Sequence, residues 1–161
     1  MTSISAGKSW RLLVVDDHEQ IRSSLKRALE FEGYDVATAG SGGRALDLLA
    51  TAVFDLVLLD VNMPDIDGFS VLEKMREIPE LAGMPVIMVT GVVDSQSVFR
   101  GKKLQVSDYL VKPYRIADLL KRVDRCLNVS LDLTFEELPT TDEAASLFDE
   151  TAAVKDSRDQ R

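Results

Sequence analysis

Short apolar runs alternate with helical stripes along most of the chain. The first run, Leu12-Leu13-Val14-Val15, ends at Asp16-Asp17. A helical stretch follows, with Ile21, Leu25, Ala28 and Leu29 on one face and Gly33 as its stop. Tyr34 to Thr38 reads as a second strand, closed by the punctuation Gly40-Ser41-Gly42-Gly43, and Ala45, Leu46, Leu48 and Leu49 mark a short helix. The run Leu56-Val57-Leu58-Leu59 has no polar face and ends at Asp60, which suits a strand buried on both sides of a parallel sheet. Asn62 to Gly68 is a loop by composition, and Val71, Leu72 and Met75 line a third helix. Val86 to Val89 is a fourth strand ending at Thr90-Gly91. After a weaker helix near 94–104, Tyr109-Leu110-Val111 gives a fifth strand ending at Lys112-Pro113. Ile116, Leu119, Leu120, Val123 and Leu127 form the clearest helical stripe. Strands that alternate with helices need crossover connections, so the fold class is α/β with a parallel sheet covered on both faces.

Charge divides the chain. Residues 1–128 carry 16 basic and 18 acidic side chains, whereas residues 129–161 carry 3 and 9, which places most of the net −8 in the tail. The expected organisation is one domain over 11–128 and an acidic tail over 129–161. Within the tail, Thr140-x-x-Glu143 fits a capping box, a short helix is expected near 141–153, and the polar end is expected to be disordered. A nearly neutral body with an acidic tail disfavours nucleic-acid binding. The single cysteine, Cys126, excludes an internal disulfide and is expected to be a buried apolar residue. No run approaches the length of a membrane span, so a cytoplasmic protein with no membrane partner is expected.

The candidate chemistry sits where strands end. In an open α/β sheet, ligands bind beyond the carboxyl ends of the strands. Asp16-Asp17, Asp60, Thr90 and Lys112 therefore converge on one edge, although Asp16 and Asp17 would also serve as helix caps and Asp60 as a turn residue. Neighbouring carboxylates repel and call for a hard cation, Mg²⁺ or Mn²⁺. The one histidine, His18, is expected to be solvent-exposed at the start of a helix, and no imidazole or thiolate is placed to attract zinc. Metal, lysine and hydroxyl beside a carboxylate nucleophile describe phosphoryl transfer to an aspartate.

VVDD at 14–17, LLDVNMPDIDG at 58–68, VTG at 89–91 and DYLVKPY at 108–114 resemble the receiver domain of bacterial two-component response regulators, over about residues 11–128. The resemblance implies a flavodoxin-like, doubly wound five-stranded sheet in the order 2-1-3-4-5. It implies that Asp60 is the phosphoacceptor, and that Asp16, Asp17, Asp60 and the backbone carbonyl of Asn62 hold the metal. Thr90 and Lys112 would bind the phosphoryl group, Tyr109 would be the aromatic switch, and Lys112-Pro113 a cis peptide. Implied partners are a histidine kinase or phosphotransfer protein and a downstream protein target, reached through the fourth helix, fifth strand and fifth helix, with a homodimer also open. Such a chain would not be an enzyme beyond catalysing its own phosphorylation and dephosphorylation.

Three departures from the family pattern carry expectations. Gly91 replaces the usual alanine without loss of space for the phosphoryl group. Gln105-Val106 replaces the usual Gly-Ala pair, so the fourth helix should end irregularly. Val92, two residues past Thr90, cannot hydrogen-bond an attacking water, which predicts a long-lived acyl phosphate. Arg100, Lys102, Lys103, Lys121, Arg122 and Arg125 read as a solvated surface rather than a basic binding face. Competing readings are a scaffold indifferent to phosphorylation, a receiver excised from a longer signalling protein, and a phosphatase of the haloacid dehalogenase type. The phosphatase usually has a second aspartate where this chain has Asn62. The tail is expected to be too short and polar to hold a DNA-binding or catalytic output domain.

Overall fold

Five strands form where the apolar runs leave no face for water. They are β1 (Arg11–Val15), β2 (Asp35–Ala39), β3 (Leu56–Asp60), β4 (Val86–Thr90) and β5 (Asp108–Val111). They alternate with α1 (Glu19–Phe31), α2 (Gly42–Thr51), α3 (Gly68–Glu77), α4 (Ser95–Lys103) and α5 (Ile116–Val129). A computed structural model describes residues 9–129. The helix expected near 141–153 and the polar end of the tail lie outside the described residues. All neighbouring strands pair in parallel, in the order β2-β1-β3-β4-β5. The fold is therefore the flavodoxin-like, doubly wound sheet that the motifs imply.

Every residue of β3 and β4 is buried, as a central parallel sheet requires. Successive side chains of a strand face opposite ways. Leu12, Val14, Leu56, Leu58, Ile87, Val89 and Leu110 cluster with Leu25 and Leu29 of α1 and with Leu119, Val123 and Leu127 of α5. The alternate residues Leu13, Val57, Leu59 and Met88 are just as deeply buried, so both faces are covered.

Element boundaries move where side chains cap backbone groups. Gly42 and Gly43, expected as loop, are the first residues of α2. Ser41 accepts from the Arg44 amide there, and the Asp65 carboxylate accepts from the Gly42 and Gly43 amides at 3.2 and 3.1 Å. β2 starts one residue later than its pattern suggests. Gly33, with φ 94°, ends α1 as expected.

The fourth helix does end irregularly. Without a glycine, Gln105 itself takes the left-handed conformation, with φ 56°. Arg76 of α3 holds the carbonyls exposed by this turn, donating to Leu104 O at 2.7 Å and Gln105 O at 3.2 Å. The same guanidinium donates to Leu81, Ala82 and Met84 carbonyls. One buried-side cation thus ties the loop after α3 to the loop after α4.

Candidate functional site

The strand register brings the polar ends of the strands to one edge. Asp60 lies opposite Val89, Thr90 lies opposite Val111, and Val15, just before Asp16-Asp17, lies opposite Leu59. The loop after β3 can fold back because residue 68 is glycine: a Cβ there would collide with the Asp60 carbonyl. The Gly68 amide instead donates to Val61 O at 2.8 Å, and Asp67 caps α3 through the Ser70 amide.

Asp60 and Asp16 are almost wholly buried, at 2% and 3% exposure. Lys112 places Nζ 3.2 Å from Asp60 Oδ2 and 3.9 Å from Asp16 Oδ2. The Asn62 amide donates to Asp60 Oδ1 at 3.2 Å, and the His18 amide to Asp16 Oδ1 at 2.8 Å. Asp16 and Asp17 are not the side-chain caps of α1: His18 holds the N-cap position, and no side chain caps the helix there.

Burial raises the Asp60 pKa above its ordinary value. Lys112 opposes that shift and Asp16 adds to it. Among the described residues, Lys112 is the one lysine or arginine within ion-pair distance of these carboxylates. The Asp17 Oδ1 atom is buried and accepts no hydrogen bond, a cost that a cation would relieve. Asp16, Asp17, His18 and Asp60 each offer a ligand atom, all within 4.8 Å of one another. This oxygen-rich set fits a hard divalent ion.

Thr90 and Tyr109 have local partners. The Thr90 hydroxyl donates to Val92 O at 2.9 Å and accepts from the Val92 amide at 3.2 Å. Tyr109 is turned inward, and its hydroxyl donates to the Ser97 carbonyl of α4 at 2.7 Å. The ring is seated against Gly101, where a Cβ would overlap the phenol oxygen. Burial pushes the Tyr109 phenol up to about 12, with smaller opposed effects from Arg100 and Asp94. The Lys112-Pro113 peptide is cis, as the resemblance implies.

Several expectations need correction. His18 is exposed as expected, and its Nδ1 in addition contacts both carboxylates of the acidic pair. Its place directly after two aspartates was the available signal. Arg100, Arg122 and Arg125 are not merely solvated. Arg100 pairs with Glu73 and lies over the Phe69 ring, while Arg122 and Arg125 both bind the buried Asp108 at 2.7 and 2.6 Å. Those partners lie in other elements, so no local pattern announces them. Cys126 is only partly buried, yet burial still raises its thiol to about 11, which keeps it protonated and inert.

The comparisons with known proteins agree with this geometry. The model of the response regulator receiver domain matches residues 12–124. The chain is 39% identical over 113 residues to the response regulator MprA of Mycolicibacterium vanbaalenii, covering 70% of this chain and 48% of that protein. It is 37% identical over 116 residues to a probable transcriptional regulator, ycf27, of Cyanidium caldarium, covering 72% of this chain and 45% of the relative. The chain thus spans about half the length of these curated relatives. Among solved structures, the chemotaxis protein CheY4 of Vibrio cholerae matches with TM-score 0.72 and 33% identity, over 74% of this chain and all of that one. The receiver motifs, the strand order and these matches together make the chain a member of the response regulator receiver family, a two-component signalling domain.

Proposed function

We propose that Asp60 accepts a phosphoryl group from a histidine kinase or phosphotransfer protein. The observation that carries this reading is the pairing of a buried, under-neutralised Asp60 with Lys112 at the mouth of an acidic pocket. A carboxylate oxygen of Asp60 forms the new P–O bond as the donor's P–N bond breaks, and the electron pair leaves with the donor imidazole. Lys112 pairs with charge on the equatorial oxygens. A bound Mg²⁺ or Mn²⁺ supplies further charge neutralisation; Asp16, Asp17, Asp60 and the Asn62 carbonyl are the residues to hold it. The chain catalyses its own modification and demodification and turns over no other substrate.

Thr90 exchanges its bond to the Val92 backbone for one to the phosphoryl group, and Tyr109 on its α4 seat responds. Output then passes through the α4–β5–α5 face to another protein. Phe99, Val111 and Ile116 place one exposed apolar side chain on each of these three elements, which supports a protein partner. Val92 is 63% exposed and offers no polar group to an attacking water, which supports a long-lived phosphoryl group. Among the described residues no helix is long and apolar enough to cross a membrane.

The test is incubation with Mg²⁺ and acetyl phosphate, read by intact mass. One added phosphoryl group that needs Mg²⁺ and is absent in Asp60→Asn is the expected result. No gain in the wild type, under conditions that label a known receiver, overturns the reading in favour of a phosphorylation-independent scaffold.

A further inference from the structure

His18 has no part in the chemistry above, yet it is held at the metal pocket. Its side chain is 64% exposed and has open solvent to turn into. It does not cap α1. Instead Nδ1 lies 3.1 Å from Asp16 Oδ1 and 3.2 Å from Asp17 Oδ1. The second contact is not a formed hydrogen bond, since Asp17 Oδ1 accepts none.

The spacing is that of ligands around a common centre. Adjacent donors bound at ~2.1 Å sit roughly 3.0–3.4 Å apart in octahedral or tetrahedral shells. The Nδ1–Oδ1 separations fall inside that range. Lys112 does not compete for the same atoms, because it approaches Asp16 and Asp60 through their Oδ2 oxygens. Asp60 lies within the same 4.8 Å cluster and brings a third carboxylate.

From this convergence we propose that His18 is an additional metal ligand, through Nδ1, and that it raises the pocket's affinity for Zn²⁺-class ions relative to Mg²⁺. Imidazole nitrogen suits zinc and its first-row neighbours, whereas Mg²⁺ takes oxygen ligands and gains little from it. The carboxylates then supply the affinity common to all divalent ions, and His18 supplies the discrimination. The inference rests on the acidic pocket being the metal site, but its test does not depend on phosphorylation.

His18 is the only histidine in the chain, so an untagged, ¹⁵N-labelled sample reports a single imidazole. Titration with Zn²⁺ is expected to shift the His18 Nδ1 resonance strongly, while Mg²⁺ leaves it near its free value. Calorimetry on His18→Gln is expected to show Zn²⁺ affinity reduced about tenfold or more, with a much smaller change for Mg²⁺. An unmoved Nδ1 resonance at saturating Zn²⁺ overturns the proposal, as does an equal loss of Zn²⁺ and Mg²⁺ affinity in the variant. Either result would leave His18 as a hydrogen-bond partner that only positions Asp16. Failure of acetyl phosphate labelling would instead remove the phosphoacceptor reading and leave this measurement standing.

Discussion

Two buried aspartates, Asp60 at the end of β3 and Asp108 at the start of β5, meet opposite electrostatic surroundings. Asp108 is 9% exposed, and Arg122 and Arg125 each take one of its oxygens. Two guanidiniums on α5 thus more than neutralise one carboxylate and tie the last helix to the edge strand. Asp60 is buried still more deeply but, among the described residues, shares a single lysine with Asp16. Burial raises its pKa, and the shared lysine does not offset that rise. A buried charge that is balanced serves architecture; one left short of countercharge is poised for a cation or a phosphoryl group.

The comparison breaks most visibly at the balanced site. Asp108→Ala leaves two cations without their carboxylate. Breaking a fully buried pair costs about 3–5 kcal/mol, but both arginines are partly exposed and screened, so a loss of about 2–3 kcal/mol is expected. Urea unfolding measures it, and an unchanged midpoint would show that the two ion pairs contribute nothing. Gly101→Ala probes the residue after Asp108 from the α4 side. The added methyl displaces the Tyr109 hydroxyl from its seat, at a cost of about 2 kcal/mol, and turns the ring outward. Tyrosine NMR contacts to α4 should vanish; their persistence would mean the helix shifts instead.

At the unbalanced site the expected sign reverses. A carboxylate whose folded pKa is raised lowers stability as pH rises from the unfolded value through the folded one, because the unfolded chain carries the charge more cheaply. Asp60→Asn should therefore stabilise the protein at neutral pH in chelator, by about 1 kcal/mol. Added Mg²⁺ should narrow or reverse the difference. A destabilised variant in chelator would contradict the charge-imbalance account.

Asp65 sharpens the comparison as a third case, since backbone amides rather than cations receive its charge. The Gly43 amide, then other backbone amides, hold its pKa below the ordinary value of 3.8. The sign is opposite to that of Asp60: its contribution is present above about 3.8 and is lost as pH falls through the depressed folded value. The wild type's small advantage over Asp65→Ala at pH 6 should close in that acid window, as thermal melts at stepped pH would reveal. A gap independent of pH would assign the effect to packing.

Much of the architecture and candidate site was legible because both rest on local pattern. A run with no polar face, such as Leu56–Leu59, suits a strand buried on both sides. The residue that ends it must emerge at the sheet edge. Asp16, Asp17, Asp60, Thr90 and Lys112 were therefore placed by strand ends alone, and the family resemblance supplied their roles. The gaps fall where one side chain answers a backbone group far along the chain. Arg76 stabilises the turn at Gln105, and Asp65 starts α2 at Gly42, from 29 and 23 residues away. Nothing local marks either pairing.

The amino-acid sequence by itself determined which elements form, their parallel pairing through crossover connections, and which strand ends carry polar groups. Hydrophobic periodicity and chain connectivity act over short range, so they survive reading one residue at a time. Only the tertiary structure decided the charge balance: that α5 neutralises Asp108, that one lysine is left to serve Asp16 and Asp60, that His18 turns onto the acidic pair, and that Tyr109 rests on Gly101. Those outcomes depend on distances across elements. Coulombic and steric terms change sign or size within a few ångströms, and the packed sheet and helices alone set those separations.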